Sequence, residues 1–307
     1  MSKPINSPFR YAGGKYYARK IILEHLPAHD TYIELFAGGG SIFFAKEKST
    51  NNWLNDKDPD LINTYLIIRD RPQELINSLD GEQASKERHG WYKNEFIPTN
   101  DLERAQRWFY LNRTSYSGIM NMKNCFWGYG DKYSMRPEYW PRNILRTSEK
   151  LQGVRITNLD FEDVLQEIEP DQRTFLFIDP PYYNADQDKF YAHSFKLDDH
   201  LRLQQLLRER RENFKFLITY DNSREVWELY DWAAAIHEKE WQYTIARTDD
   251  QKKTMENKLA KVEQTPDKNP RSNGKEIFII NYEEIPTPIP VPKPKAVQLS
   301  VFEAVPA

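Results

Sequence analysis

Short, mostly apolar segments that alternate with helical patterns constrain the fold of this chain more than any other feature. Seven segments are typical of β-strands, because they are short and rich in β-branched and aromatic residues. They cover residues 31–36, 51–55, 154–159, 174–178, 214–220, 234–247 and 276–282. Helical patterns separate several of them, which predicts an open, mostly parallel α/β sheet with helices on both faces. The last two segments follow each other without a clear helix, which predicts an antiparallel pair at one edge.

Residues 60–146 interrupt this alternation, because their segments look helical or irregular. We therefore predict one domain built on the sheet from residues 1–59 and 147–285, with residues 60–146 inserted as a mainly helical domain. The polar residues 249–273 lie between the last two strands and are predicted to form a flexible loop. The tail, residues 286–307, is rich in proline and is predicted to be extended or disordered.

The single cysteine, Cys125, excludes an intramolecular disulfide, so a small disulfide-bonded secreted scaffold is not expected. The opening residues have no apolar segment typical of a signal peptide. No stretch approaches the ~20 apolar residues that a membrane helix needs. We therefore expect a cytoplasmic protein that does not contact a membrane.

Basic and aromatic residues are concentrated in one region, although the net charge of the chain is −3. Residues 105–146 hold seven lysines and arginines against two acids, with tyrosines, tryptophans and phenylalanines between them. A surface of this kind can neutralise phosphates and stack on bases. An aromatic-rich subdomain with a solvated basic face has the same composition, and the sequence leaves both interpretations open.

A glycine-rich turn follows the first predicted strand in "YIELFAGGGSIFF". Gly38, Gly39 and Gly40 allow the backbone to approach a ligand closely, and the helix that follows offers unpaired N–H groups. The next strand leads to Asp56, an acid that can accept hydrogen bonds from a ribose. The spacing differs from G-x-G-x-x-G, so a dinucleotide is not specifically indicated. The alternative is a tight strand-to-helix turn without a ligand.

A second unusual segment, "TFLFIDPPYYNAD", ends another predicted strand with an acid, two prolines and two tyrosines. Pro180 and Pro181 restrict the backbone, so the chain leaves the strand rigidly. Asp179 is then expected at the sheet edge beside the glycine turn, with Tyr182 and Tyr183 next to it. This arrangement suits a flat ring with an amino group, because the acid and a prolyl carbonyl can accept its two hydrogens. The alternative is an ordinary Asp-Pro turn.

Over roughly residues 7–283 the chain resembles the Dam-like (D12 class) DNA adenine-N6 methyltransferases. The resemblance rests on a series of motifs in the same order, namely "FRYAGGK", "IELFAGGGS", "NDKDPDLINTY", "LNRTSYSG", "LDFEDVL", "FIDPPYY", "HSFKLDDHLRL" and "EIFIINY". It implies a Rossmann-like class I methyltransferase fold, with a seven-stranded, mostly parallel sheet, one antiparallel edge strand and a helical DNA-recognition domain at 60–146. It also implies S-adenosylmethionine as cofactor and methylation of adenine N6 in a short site of double-stranded DNA.

The resemblance also implies three groups of site residues. The cofactor would be held by Tyr11, Lys15, Glu34, Phe36, Gly38, Gly39, Gly40, Asp56, Asp160, Phe161 and Asp179. The target base would be held by the catalytic group Asp179, Pro180, Pro181 and Tyr182. DNA would be contacted by Lys15, Arg113, Tyr116, Ser117 and Asn121. In these groups Asp56 would bind the ribose, Asp160 and Phe161 the adenine of the cofactor, Arg113 a phosphate, and Tyr116 would enter the base stack.

The expected chemistry agrees with these assignments. The methyl group on a sulfonium is already activated, so no metal and no general base has to generate a strong nucleophile. Adenine N6 is a poor nucleophile because its lone pair is delocalised into the ring. Asp179 and the Pro180 carbonyl can accept its two hydrogens and favour a tetrahedral nitrogen during attack. Because a base inside a duplex cannot reach such a pocket, the adenine must be flipped out.

Two departures from the Dam pattern concern the DNA sequence that is recognised. Asn121 stands where the pattern has an arginine that reads a guanine of GATC, and asparagine pairs more naturally with adenine. The polar loop 249–273 is also longer than in the Dam group. Both departures leave GATC open, and we expect a short adenine-containing site.

Three other interpretations are weighed against this one. An N4-cytosine methyltransferase would more usually carry serine in place of Asp179. A nicotinamide oxidoreductase would explain the glycine turn but not "DPPYY". A nucleotide-sensing or DNA-binding protein without turnover would not need the intact acid, prolines and tyrosine. The sequence does not tell the oligomeric state, or whether a cognate restriction endonuclease acts separately.

Overall fold

The computed structural model describes residues 3–130, 134–184, 195–242 and 273–282. Most of the predicted loop, residues 249–272, and the predicted tail, residues 286–307, lie outside the described residues. In the described part of the chain no helix is long and apolar enough to cross a membrane.

A seven-stranded sheet with the order β3-β2-β1-β4-β5-β7-β6 forms the centre of the fold. The strands are β1 (Thr31–Glu34), β2 (Asn51–Asn55), β3 (Arg155–Thr157), β4 (Thr174–Ile178), β5 (Lys215–Asp221), β6 (Ala235–Gln242) and β7 (Asn273–Ile280). The first five are parallel, and β7 runs antiparallel to both β5 and β6. The predicted α/β class, the seven strands and the antiparallel pair at one edge are confirmed; β7 is the reversed strand, and β6 lies outside it.

The helices follow the predicted alternation. They are α1 (Arg19–Glu24), α2 (Ser41–Ala45), α3 (Pro59–Asp70), α4 (Pro72–Ser78), α5 (Lys86–Asn94), α6 (Asp101–Thr114), α7 (Trp140–Leu151), α8 (Phe161–Glu167), α9 (Leu197–Glu209) and α10 (Arg224–Leu229). The Asp58 carboxylate caps α3 by accepting from the N–H groups of Asp60 and Leu61 at 2.9 and 3.2 Å. Asn100 caps α6 by accepting from the N–H of Glu103 at 3.0 Å.

Alternate residues along the strands enter two different hydrophobic clusters. On β4, Phe175 and Phe177 belong to one cluster and Leu176 and Ile178 to the other. The first cluster continues into α3, α6 and α7, and the second contains residues of α8, α9 and α10. Helices therefore cover both faces of the sheet, as the alternation predicts. The residues predicted as an inserted domain share the first cluster with the sheet, and the domain boundaries themselves stay a prediction.

Candidate active site

A cavity of about 450 Å³ opens at the carboxyl ends of β1, β2 and β4. This volume is within the range of small-molecule sites, and the position is the one at which open α/β sheets bind ligands. Ten of the eleven predicted cofactor residues line it, namely Tyr11, Lys15, Glu34, Phe36, Gly38, Gly39, Asp56, Asp160, Phe161 and Asp179. Gly40 does not line the cavity; it caps the start of α2 in a left-handed conformation with φ 63°.

The glycine turn is packed against the ring of Tyr11. Gly38 has φ 47°, and a Cβ atom at this position would lie 2.9 Å from Tyr11 Cε1. A Cβ atom on Gly39 would lie 3.0 Å from Tyr11 Cβ. The Tyr65 hydroxyl of α3 donates to the Gly38 carbonyl at 2.9 Å and so ties the turn to this helix. Gly38 is therefore required both by its backbone conformation and by its contact with Tyr11, and Gly39 by the contact alone.

Asp56 holds the glycine turn to the end of β2. Its Oδ2 atom accepts from the N–H of Gly38 at 2.8 Å, and Oδ1 accepts from the N–H of Asp58 at 2.9 Å. Burial raises the pKa of the Asp56 carboxyl to about 6. Each carboxylate oxygen has a second lone pair, so these bonds are compatible with a ribose contact. The ribose contact itself stays a prediction.

Glu34 connects β1 to α2 beneath the cavity. Its Oε1 atom accepts from the Tyr32 hydroxyl at 2.7 Å and from the N–H of Phe43 at 2.8 Å. Burial raises the pKa of the Glu34 carboxyl to about 7. The carboxyl group thus fixes the strand-to-helix junction as well as lining the cavity.

At the opposite side of the cavity, Asp160 is held by a residue that the sequence analysis did not single out. Asp160 caps α8 by accepting from the N–H of Glu162 at 3.1 Å, and its carboxylate lies 3.0 Å from Arg202 Nη1. The Arg202 guanidinium also lies 4.3 Å from the centre of the Phe161 ring. The i,i+3 spacing of Asp199 and Arg202 within the motif "HSFKLDDHLRL" was the available signal for this cluster.

Asp179 follows β4, and its carboxylate makes two side-chain contacts. Lys15 Nζ lies 2.6 Å from Oδ1 and 2.8 Å from Oδ2. The Thr219 hydroxyl donates to Oδ1 at 2.7 Å, and Lys15 also donates to the Gly13 carbonyl at 3.0 Å. The Lys15 side chain is 3% exposed and lies 4.9 Å from the centre of the Tyr182 ring. The ion pair therefore joins Lys15, a predicted cofactor residue, to Asp179, which is predicted to contact both the cofactor and the target base.

Two acids on neighbouring strands lie under the segment that follows Asp179. Asp221 of β5 and Glu276 of β7 are paired in the sheet register. The Asp221 carboxylate accepts from the N–H of Tyr183 at 2.9 Å and from the side chain of Asn184 at 3.1 Å. Glu276 is buried beside the Tyr182 hydroxyl, and burial raises the pKa of its carboxyl to about 8. The sequence analysis missed both acids.

The predicted base-stack residue, Tyr116, lies at the surface on a constrained turn. Its side chain is 49% exposed, and its N–H donates to the Phe126 carbonyl at 2.7 Å. Ser117 and Gly118 have φ values of 54° and 72°. A Cβ atom on Gly128 would lie 2.2 Å from Tyr116 Cα, so the chain at Gly128 approaches as closely as glycine permits. The turn therefore presents Tyr116 to solvent on a well-supported backbone.

Two other predicted DNA contacts bind within the protein. Arg113 is buried, its Nη1 atom donates to the Pro8 carbonyl at 2.8 Å, and burial lowers its pKa to about 10. The Asn121 carboxamide accepts from the N–H of Lys123 at 3.0 Å. Their roles towards DNA stay predictions. The basic and aromatic region as a whole divides between core and surface, with Trp108 and Trp140 buried.

Comparisons with known proteins agree with this geometry. Residues 11–245 match the family model of the D12 class N6 adenine-specific DNA methyltransferases. The DNA N-6-adenine-methyltransferase of Escherichia phage P1 is 29% identical over 243 residues, which are 73% of this chain and 31% of the relative. The type II methyltransferase M.CviBI of Paramecium bursaria Chlorella virus NC1A is 26% identical, with 79% and 92% covered. The DNA adenine methylase of Escherichia coli (strain K12) is 27% identical, with 64% and 73% covered.

This chain thus spans about a third of the phage P1 relative but most of the other two. The family model covers more than two thirds of the chain, and it includes both the glycine turn and the segment after β4. The resemblance stated from the motifs is confirmed: the chain belongs to the D12 class of N6 adenine-specific DNA methyltransferases.

Proposed function

We propose that this protein transfers the methyl group of S-adenosylmethionine to N6 of an adenine that is flipped out of a short site in double-stranded DNA. The observation that carries the proposal is the position of Asp179. Its carboxylate lines the cofactor cavity and also begins the Asp-Pro-Pro-Tyr segment. Because β1 and β4 are neighbours in the sheet, the glycine turn and this segment leave it side by side.

The cavity suits S-adenosylmethionine in shape and in charge. The glycine turn and Tyr11 line the cavity together, and a Cβ atom on Gly38 or Gly39 would press on the tyrosine and change the shape of this wall. Six acidic and three basic side chains line the cavity, and this excess of acids favours a positively charged ligand. Asp56 would bind the ribose, and Asp160 and Phe161 the adenine. When bound, the cofactor supplies an activated methyl group.

The residues around Asp179 would hold the amino group of the target adenine. Lys15 and Thr219 both contact Oδ1, so they fix the plane of the carboxylate. Oδ2 is contacted by Lys15 and has a second lone pair for an amino hydrogen. The Pro180 carbonyl would accept the other hydrogen, and Tyr182 would stack on the ring. This arrangement fixes the position of N6. The two hydrogen bonds that its amino group donates favour the tetrahedral nitrogen that attack on the methyl group requires.

Tyr116 supports double-stranded DNA as the substrate. An exposed aromatic ring on a constrained turn can enter a base stack at low conformational cost. We propose Asn121 as a candidate reader of one base of a short adenine-containing site, for which GATC stays one possibility. Since the substrate is DNA, we expect the enzyme in the cytoplasm. Some relatives are named type II methyltransferases. A cognate restriction endonuclease that acts separately is therefore one candidate partner.

Two assays test the proposal together. S-adenosylmethionine should raise the thermal unfolding midpoint of the purified protein, whereas NAD should not. Unmethylated double-stranded DNA should then take up label from S-adenosylmethionine that carries an isotopic methyl group. Cofactor binding without label in DNA would contradict the proposed reaction, and protection by NAD would favour the oxidoreductase interpretation.

A further inference from the structure

Two residues in the last turn of α6 hydrogen-bond to the N-terminal segment of the chain. This segment lies between the cofactor cavity and the turn that carries Tyr116. The Asn112 side chain is fully buried. Its Oδ1 atom accepts from the N–H of Arg10 at 3.1 Å, and its Nδ2 atom donates to the Arg10 carbonyl at 2.7 Å. One carboxamide therefore pairs with both backbone groups of Arg10, as a neighbouring β-strand would.

Further contacts hold the same stretch of chain. Arg113 donates to the Pro8 carbonyl at 2.8 Å. The Arg10 guanidinium donates to the Ser115 carbonyl at 3.3 Å. A Cβ atom on Gly118 would lie 2.2 Å from the Arg10 carbonyl oxygen, so the turn after Tyr116 packs directly on this backbone. Buried backbone groups held in this way leave the segment little freedom to shift.

Within this segment, residues 7–15, the last five residues line the cavity. Tyr11 packs on Gly38 and Gly39, and the Ser7 hydroxyl donates to the Gly39 carbonyl. The segment ends at Lys15, which binds Asp179. The segment that α6 contacts at Pro8 and Arg10 is therefore the segment that packs on the glycine turn and holds the catalytic carboxylate.

We propose that Asn112 is a positioning residue for the cofactor site: by pairing with the Arg10 backbone it holds residues 7–15 in the shape that binds S-adenosylmethionine. Among the described residues, none from α6 lines the cavity, so Asn112 acts through the segment. The inference rests on the proposed function, and it adds that a helix beside the DNA-facing turn sets cofactor affinity. Arg113 serves the same purpose through Pro8.

The test compares Asn112→Ala and Asn112→Asp with Asn100→Asp as the matched control. Aspartate keeps the size of asparagine but places a second acceptor against the Arg10 carbonyl. At Asn100, at the other end of α6, aspartate caps a helix as well as asparagine does. We expect the dissociation constant for S-adenosylmethionine to rise about tenfold or more in both Asn112 variants and to stay unchanged in the control. In turnover, KM for the cofactor should rise by a similar factor while kcat changes less than threefold.

The unfolding midpoint without ligand separates this role from a loss of folding. A purely structural role would lower that midpoint but leave the cofactor dissociation constant of the folded protein unchanged, and this result would overturn the proposal. If both Asn112 variants fail to fold, amide exchange in the wild-type protein decides. S-adenosylmethionine should then slow exchange in residues 110–114 as well as in residues 7–15, and no slowing in the helix would overturn it. A wild-type protein that does not bind S-adenosylmethionine would instead refute the proposed function.

Discussion

Lys15 Nζ lies 2.6 Å from Asp179 Oδ1, although the two residues are 164 positions apart in the chain. The lysine side chain is almost completely buried, so its charge depends on this carboxylate for compensation. The ion pair joins the N-terminal segment to the end of β4, and it lies where the cofactor cavity meets the proposed clamp for the target base.

Lys15→Met should lower the rate of methyl transfer sharply. The substitution removes the cation that orients the Asp179 carboxylate, and breaking a buried pair from one side costs several kcal/mol. We expect kcat to fall about 100-fold, whereas Lys15→Arg, which keeps a charge, should retain more of it. Single-turnover rates at saturating DNA and cofactor measure this effect. A rate for Lys15→Met within twofold of the wild type would show that the ion pair has no part in the reaction.

Asp179→Ala should abolish methylation while cofactor binding largely survives. The carboxylate is one of many groups that line the cavity, and the glycine turn and Asp56, which are proposed to hold the cofactor, stay intact in the variant. Calorimetric titration with S-adenosylmethionine and a methylation assay on the same preparation give both quantities. Asp179→Asn keeps the size of the side chain, so it shows whether charge or volume is required. Normal turnover in Asp179→Ala would refute the clamp.

Tyr116→Ala should mainly weaken the engagement of DNA. The ring is half exposed on its turn, and stacking of a base on an aromatic ring is worth about 1–3 kcal/mol. We expect KM for DNA to rise about tenfold or more while the cofactor dissociation constant stays unchanged. Tyr116→Phe keeps the ring and serves as the control. An unchanged KM for DNA in the alanine variant would count against insertion of this side chain.

Glu276 should make the stability of the protein depend on pH. Burial raises the pKa of its carboxyl from 4.5 to about 8, so between these values the folded state holds a proton that the unfolded chain has released. The free energy of unfolding should therefore fall as the pH rises through this range, by up to about 1.4 kcal/mol per pH unit for one proton. The stabilisation that comes from Glu276 is complete below pH 4.5 and is lost as the pH rises towards about 8.

Glu276→Gln tests this prediction, because glutamine keeps the shape of the neutral acid and does not titrate. Urea unfolding between roughly pH 5 and pH 8 should show a shallower decline than in the wild type. Burial raises the pKa of Glu34 and Asp56 in the same direction, so part of the decline should remain. The exposed Glu169 provides the control substitution, Glu169→Gln. Equal slopes for wild type and Glu276→Gln would contradict the assignment.

The strands and most of the cavity lining could be predicted because their signals are local. Strand periodicity and the glycine turn each occupy a few consecutive residues, and a motif places its residues without knowledge of the rest of the fold. Ten of the eleven predicted cofactor residues line the cavity for this reason. Gly40 lies in the same motif, but it serves the start of α2 instead.

Contacts between residues that are distant in the sequence could not be predicted from local patterns. The pairing of Asp221 with Glu276 depends on the register of β5 and β7, which no short segment encodes. The sequence did contain a signal for the burial of Arg113, but its assignment followed the resemblance of the motif "LNRTSYSG" instead. Ala105, Trp108, Phe109, Asn112 and Arg113 follow an i, i+3, i+4, i+7, i+8 pattern and are all buried on α6. Helical periodicity thus places Arg113 on the apolar face, whereas resemblance alone assigns it to a phosphate.

The identity of the methylated nucleoside tests the central claim most directly. Unmethylated double-stranded DNA would be incubated with the protein and isotopically labelled S-adenosylmethionine, digested to nucleosides and analysed by mass spectrometry. The proposed clamp of Asp179 and the Pro180 carbonyl predicts label in N6-methyl-2′-deoxyadenosine. Label in N4-methylcytosine, or no label in DNA from a protein that binds the cofactor, would contradict it.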